Sequence, residues 1–178
     1  MDLEQYKYPI GKFIKPEIIT REILHSWIED IETLPERLKK EVENLSERQL
    51  DTPYRQDGWT LRQVIHHLAD AHLNAFIRVK LALTEENPVV KPYFEERWAE
   101  LPDSQNFPVR PSLKIIKGIH QRWSFLLKTL SEQDFQKVFI HPENNREFKL
   151  EEILGIYAWH GNHHLAHIST LKKQKGWE

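Results

Sequence analysis

The sequence predicts an all-α fold, a four-helix bundle with a long connection between helices two and three. Three observations carry that expectation: four long segments repeat apolar residues every three or four positions, strand signals are weak, and prolines gather in the connections. No internal repeat or low-complexity tract breaks the pattern. Residues 1–178 therefore read as a single domain, with about residues 1–19 as an extended N-terminal arm.

The first helix is expected from about Thr20 to Leu45, through Ile23, Leu24, Trp27, Ile28, Ile31, Leu34, Leu38 and Val42. Pro35 falls inside it, yet the apolar register continues on both sides, which fits one kinked helix better than two unrelated ones. The second helix opens at Thr60-Leu61-Arg62-Gln63, a capping-box pattern in which a hydroxyl and an amide satisfy free backbone donors. It continues through Val64, Ile65, Leu68, Ala71, Ala75, Phe76 and Val79 and stops near Asn87-Pro88. Residues 88–110 carry four prolines and form the long link, with a short helix expected around Glu95–Leu101. The third helix is expected from about Pro111 to Leu130, and Ser131–Asp134 as a helical turn. Residues 140–145 read as a turn, and the fourth helix runs from about Leu150 to Lys173.

Composition narrows the function classes. A net charge of −2 gives no dominant basic field to attract a polyanion, so nucleic acid is not expected as a partner. The chain has no cysteine, which excludes disulfides, Cys-ligated zinc and a protein thiol nucleophile. The N-terminus has no signal-peptide pattern, and no apolar stretch approaches the roughly 20 residues that span a bilayer. The expectation is a soluble cytoplasmic protein with no membrane partner.

Histidines point to chemistry. His160, His163, His164 and His167 lie within eight residues on the fourth helix and are four of the chain's ten. Residues four apart on a helix are neighbours, so His160 and His164 can address one ion. A lone histidine on an apolar stripe is usually a core residue with carbonyl or water partners; four so close are harder to explain as packing. Catalytic zinc sites typically use three protein ligands and one open position. By spacing, the third ligand stays open between His67 and His72 on helix two and His120 on helix three. Trp59, Trp98, Trp123, Trp159 and Tyr157 read as core aromatics, with Trp159, beside His160, the first to examine as a pocket residue.

The stretch Trp59-Thr60-Leu61-Arg62-Gln63-Val64-Ile65-His66-His67-Leu68-Ala69-Asp70 resembles the start of helix two in the DinB-like four-helix metalloproteins, and His160-Gly161-Asn162-His163-His164 resembles their C-terminal His-x3-His. Asp51-Thr52-Pro53-Tyr54-Arg55 and Tyr8-Pro9-Ile10-Gly11 resemble the YfiT subgroup of metal-dependent hydrolases, and the likeness covers nearly the whole chain. The resemblance implies that His67, His160 and His164 are the metal ligands, that His66, His72, His163 and His167 support them or pack, and that the protein is a homodimer.

An open three-His site holding one divalent ion per chain, zinc by default and nickel as the alternative, can acidify water and so hydrolyse a small-molecule substrate. Gly161 stands where zincins carry their general-base glutamate, so this is not the His-Glu-x-x-His arrangement. Asp70, three residues after His67, is a candidate to orient an imidazole or act as base, against the plainer reading of a helix-pairing aspartate. Two alternatives follow: a metal-dependent S-transferase using a low-molecular-weight cellular thiol, and a non-enzymatic metal-binding bundle.

Overall fold

The computed structural model describes residues 3–143 and 146–177. In chain order the elements are α1 (Leu3–Lys7), α2 (Arg21–Val42), α3 (Glu47–Leu50), α4 (Leu61–Thr84), α5 (Glu95–Ala99), α6 (Pro102–Asn106), α7 (Arg110–Lys128), α8 (Glu132–Phe135), β1 (Val138–His141), β2 (Arg146–Lys149) and α9 (Leu150–Lys175). The four long helices α2, α4, α7 and α9 make the bundle, with α2 against α7 and α9, and α4 against the same two.

Local chemistry sets the helix ends. The Thr20 hydroxyl accepts from the Ile23 amide at the start of α2. Thr60 and Gln63 complete the expected capping box on α4. Gly176 ends α9 in the left-handed region at φ +63°, where a side chain is strained. Pro35 is buried inside α2, which continues through it as one helix.

The buried apolar residues form two clusters. One gathers around Ile31, Ala75, Trp123, Phe139 and Leu154, the other around Leu38, Ile65, Leu68, Ile116 and Ile168. On three helices a histidine belt falls between them: His72 on α4, His120 on α7 and His160 to His167 on α9. Each fully buried Leu or Ile contributes about 1.5–3 kcal/mol, so the two apolar masses hold a polar layer in place at mid-bundle.

The structure departs from expectation in the connections. Val138–His141 and Arg146–Lys149 pair as antiparallel strands where a plain turn was expected, matching Phe139 with Phe148 and His141 with Arg146. Of the residues expected there as a turn, Asn144 and Asn145 lie outside the described residues. Ile140 also exchanges backbone hydrogen bonds with Pro88 and Val90, which pins the start of the long link to β1. The link carries a second short helix, α6, beyond the one expected, and α3 precedes α4. The arm expected to be extended opens with α1, then runs without helix or strand to Thr20. No helix among the described residues is long and apolar enough to cross a membrane.

Candidate metal centre

The bundle brings His67 of α4 together with His160 and His164 of α9. Their ligand nitrogens all lie within 4.8 Å of one another. His67 Nε2 and His160 Nε2 are 3.2 Å apart. Imidazole–metal bonds of about 2.0–2.1 Å give ligand–ligand edges of about 2.9–3.4 Å, so this pair already has the spacing of a coordination polyhedron. His67 and His164 are buried, while His160 is partly accessible. The Trp59 ring packs against His67 at 4.8 Å between centroids.

Electrostatics suit a cation. Burial holds the His67 pKa down to about 4, and holds His160 and His164 well below the ordinary imidazole range. All three rings are therefore neutral at pH 7, the form that binds metal. The donor set, three bare-nitrogen imidazoles on two facing helices, fits a divalent ion.

The other sequence candidates go elsewhere. His72 and His120 do not join the three-ring group. His72 Nε2 is 3.2 Å from His160 Nδ1, and His120 Nε2 is 2.9 Å from His72 Nδ1. His66 turns toward the long link, with Nδ1 2.8 Å from Ser112 Oγ and Nε2 3.0 Å from the Phe107 carbonyl. His163, His164 and His167 form a second grouping within 4.8 Å. His163 stacks on Trp159 at 4.5 Å, and its Nδ1 is buried without a partner. Trp159 donates to the Gly11 carbonyl, so it fastens the N-terminal arm. A side chain at position 161 would crowd the core, because a Cβ there would meet Leu34 Cδ2 at 2.5 Å.

A cavity of about 220 Å³ reaches His160, lined among others by Arg78, Tyr93, Glu95, His141, Glu143 and Tyr157. Arg78 hydrogen bonds Tyr157 and donates to the Lys91 carbonyl. Burial raises the Glu95 carboxyl above its usual range. Asp70 is raised to about 6, first by burial and then by the Asp103 charge, and it acts electrostatically on Tyr93 in the cavity wall. These wall residues come from α4, the long link, the hairpin and α9, and no spacing rule joins them. The one signal available was the length and proline content of the link.

The DinB superfamily profile matches residues 30–168, and the chain belongs to that superfamily. A Bacillus cereus (strain 03BB102) protein named "Putative metal-dependent hydrolase" is 51% identical over 175 residues, covering 98% of this chain and all of the relative. A Bacillus anthracis (strain CDC 684 / NRRL 3495) protein of the same name has the same identity and coverage. Among solved structures, YfiT from Bacillus subtilis superposes with a TM-score of 0.95 at 46% identity, covering 98% of this chain and 99% of YfiT. It is described as "a probable metal-dependent hydrolase with an unusual four-helix bundle topology".

Proposed function

We propose that this chain is a metal-dependent hydrolase of small molecules that holds one divalent ion, zinc first and nickel second, on His67, His160 and His164. The observation that carries the reading is the convergence of three neutral imidazoles beside a cavity that reaches one of them. The names of the 51%-identical relatives agree with it. When bound, such an ion supplies Lewis acidity, enough to bring the pKa of water to roughly 7.

The protein's own groups position the substrate. Arg78 offers a cation to a carboxylate or polar end, while Tyr93 and Tyr157 wall the cavity against solvent. Glu95 and Glu143 bring carboxylates to the same cavity. Glu95, with its raised pKa, is the stronger acceptor for a proton near neutrality. The proposal includes a cytoplasmic homodimer.

Elemental analysis of untagged protein beside His67→Ala and His164→Ala tests the ligands; loss of the ion in both is expected, and unchanged content overturns the assignment. A panel of esters and amides, assayed with and without chelator, tests hydrolysis. Turnover that survives complete metal removal overturns it.

One observation favours a second reading, transfer of an external thiol. Both metal-capable groupings among the described residues consist of histidine alone. A thiol acidified by the ion needs no protein base. Loss of a thiol-reactive electrophile only when a cellular thiol and the ion are both present would select that reading over hydrolysis.

A further inference from the structure

Five histidines form two chains that each begin on a backbone carbonyl and end at a proposed ligand nitrogen. The first starts at the Ile31 carbonyl, 2.5 Å from His120 Nδ1. It continues from His120 Nε2 to His72 Nδ1 at 2.9 Å, and from His72 Nε2 to His160 Nδ1 at 3.2 Å. The second starts at the Lys7 carbonyl, 3.1 Å from His167 Nε2, and passes from His167 Nδ1 to His164 Nδ1 at 3.3 Å.

A carbonyl only accepts, and a neutral imidazole has one N–H and one bare nitrogen. His120 Nδ1 must therefore carry hydrogen toward Ile31, which leaves His120 Nε2 to accept. His72 then donates from Nδ1 and accepts at Nε2, so His160 donates from Nδ1. Its Nε2 is left with a lone pair, and that nitrogen faces His67 Nε2. In the second chain His167 donates to Lys7 from Nε2 and accepts at Nδ1. His164 donates from Nδ1, and its Nε2 is also left bare.

Both anchors are carbonyls that helix geometry releases. Inside an α-helix the Ile31 carbonyl would accept from the amide four residues on, but that residue is Pro35, which has no N–H. Lys7 closes α1, and the last carbonyls of a helix have no intrahelical partner. The proline inside α2 and the helix in the N-terminal arm thus each supply the origin of one chain.

We propose that Pro35, His120 and His72 form one positioning chain, and the Lys7 carbonyl with His167 a second, which hold His160 and His164 as the Nδ1–H tautomer and aim two bare Nε2 atoms at the divalent ion. The inference rests on the ligand set proposed above. It also disposes of the second histidine grouping as an ion site, since His164 Nδ1 and His167 Nδ1 share a proton and His163 is left alone.

The test begins on metal-free full-length protein, by nitrogen–proton correlation spectra that read the tautomer of each imidazole. Nδ1–H is expected on His72, His120, His160 and His164, and Nε2–H on His167. Nε2–H on His160 or His164 overturns the proposal without any variant. Zinc and nickel affinities, from competition with a chromogenic chelator, then test the chain energetically. His72→Phe should weaken binding by about 10–100-fold, the usual effect of removing a ligand's hydrogen-bond partner. His72→Gln, whose amide can accept from His160 and donate to His120, should stay within about three-fold.

Pro35→Ala separates positioning from structure. It restores an amide to compete for the Ile31 carbonyl, so affinity should fall several-fold while α2 gains stability. If His67→Ala, His160→Ala and His164→Ala abolish binding but His72→Phe leaves it unchanged, the chain is wrong and the ligand assignment stands. If those three variants bind as the parent does, the ligand assignment itself has failed.

Discussion

A β-carbon built on Gly161 would lie 2.5 Å from Leu34 Cδ2, 3.4 Å from Leu34 Cδ1 and 3.5 Å from His72 Cε1. Carbon atoms in contact rest about 3.5–4.0 Å apart, so Gly161→Ala requires the Leu34 methyl to move by about 1 Å. Leu34 is 1% exposed and has no solvent to move into. Overpacking of this kind costs about 1–3 kcal/mol, while replacing a helix-interior glycine with alanine returns about 1 kcal/mol. The expected net effect is a loss of about 1 kcal/mol. In a Leu34→Ala background the obstructing methyls are gone, and the same substitution should gain about 1 kcal/mol. Urea unfolding of the four proteins, analysed as a double-mutant cycle, should therefore return a coupling of about 2 kcal/mol and a reversal of sign. Equal stabilisation by Gly161→Ala in both backgrounds would refute the steric account of this glycine. It would also reopen the position to a side chain, and so to a base beside His160.

Acid stability follows from the histidines. Their folded pKa values lie below the unfolded value of about 6.5, so stability is complete above that pH and falls as pH drops toward about 4. At about pH 5.5 each such group costs about 1.4 kcal/mol, set almost wholly by the unfolded value. His67 and His120 together remove about 3 kcal/mol, a large part of the stability of many domains, and His72, His160 and His164, held well below the ordinary range by burial, act in the same direction. Metal-free protein should unfold cooperatively between about pH 6 and 5 in a circular-dichroism titration, and a flat response to about pH 4.5 contradicts the burial of neutral rings. Asp70 acts oppositely, because its pKa is raised to about 6. Asp70→Asn should leave stability unchanged below about pH 3.8 and, after discounting for solvent screening, gain about 1 kcal/mol at pH 7. Arg62 is buried but donates to Glu47 and Asp51, whose side chains are exposed, and to the Phe107 carbonyl. Arg62→Met should cost about 1–2 kcal/mol by thermal unfolding, not the 3–5 of a fully buried pair, since solvent takes over both carboxylates. An ion at about 100 times its Kd should raise stability by about 2.7 kcal/mol, and excess chelator should remove that increment.

The long helices were legible because each has to turn an apolar stripe inward over many turns, and one proline could not hide a register running from Ile23 to Val42. The start of α4 was legible to the residue, because Thr60 and Gln63 satisfy backbone donors by a local rule. The same rule sits at Ser46 and Gln49, yet a one-turn helix such as α3 has no periodicity to announce it. The hairpin lacked a local signature, since Val138-Phe139-Ile140-His141 is too short to show alternation and its ladder includes residues 88–90 of a distant link. His66, His67, His72 and His120 could not be sorted by spacing for a similar reason. Each lies near the inward side of its helix, and the facing helices decide which ring meets α9, which meets another histidine and which meets Phe107. The cavity wall was illegible because four elements contribute to it.

A buried imidazole destabilises a bundle unless both of its nitrogens find partners. Along the two chains, every nitrogen of His72, His120 and His167 is partnered, as are Nδ1 of His160 and Nδ1 of His164. Satisfying the polar layer from its backbone anchors inward leaves one bare nitrogen at the end of each chain. The first of these points at a third ring 3.2 Å away. A His67 Nε2–H can donate into that lone pair, and a cation between the two nitrogens would take the proton's place. The network that allows two apolar clusters to flank a belt of histidines is therefore the network that turns ligand lone pairs inward. Apolar replacements for the belt would give a more stable bundle with nothing to bind. The acid sensitivity and the capacity for an ion share one cause, neutral imidazoles held where protonation is costly.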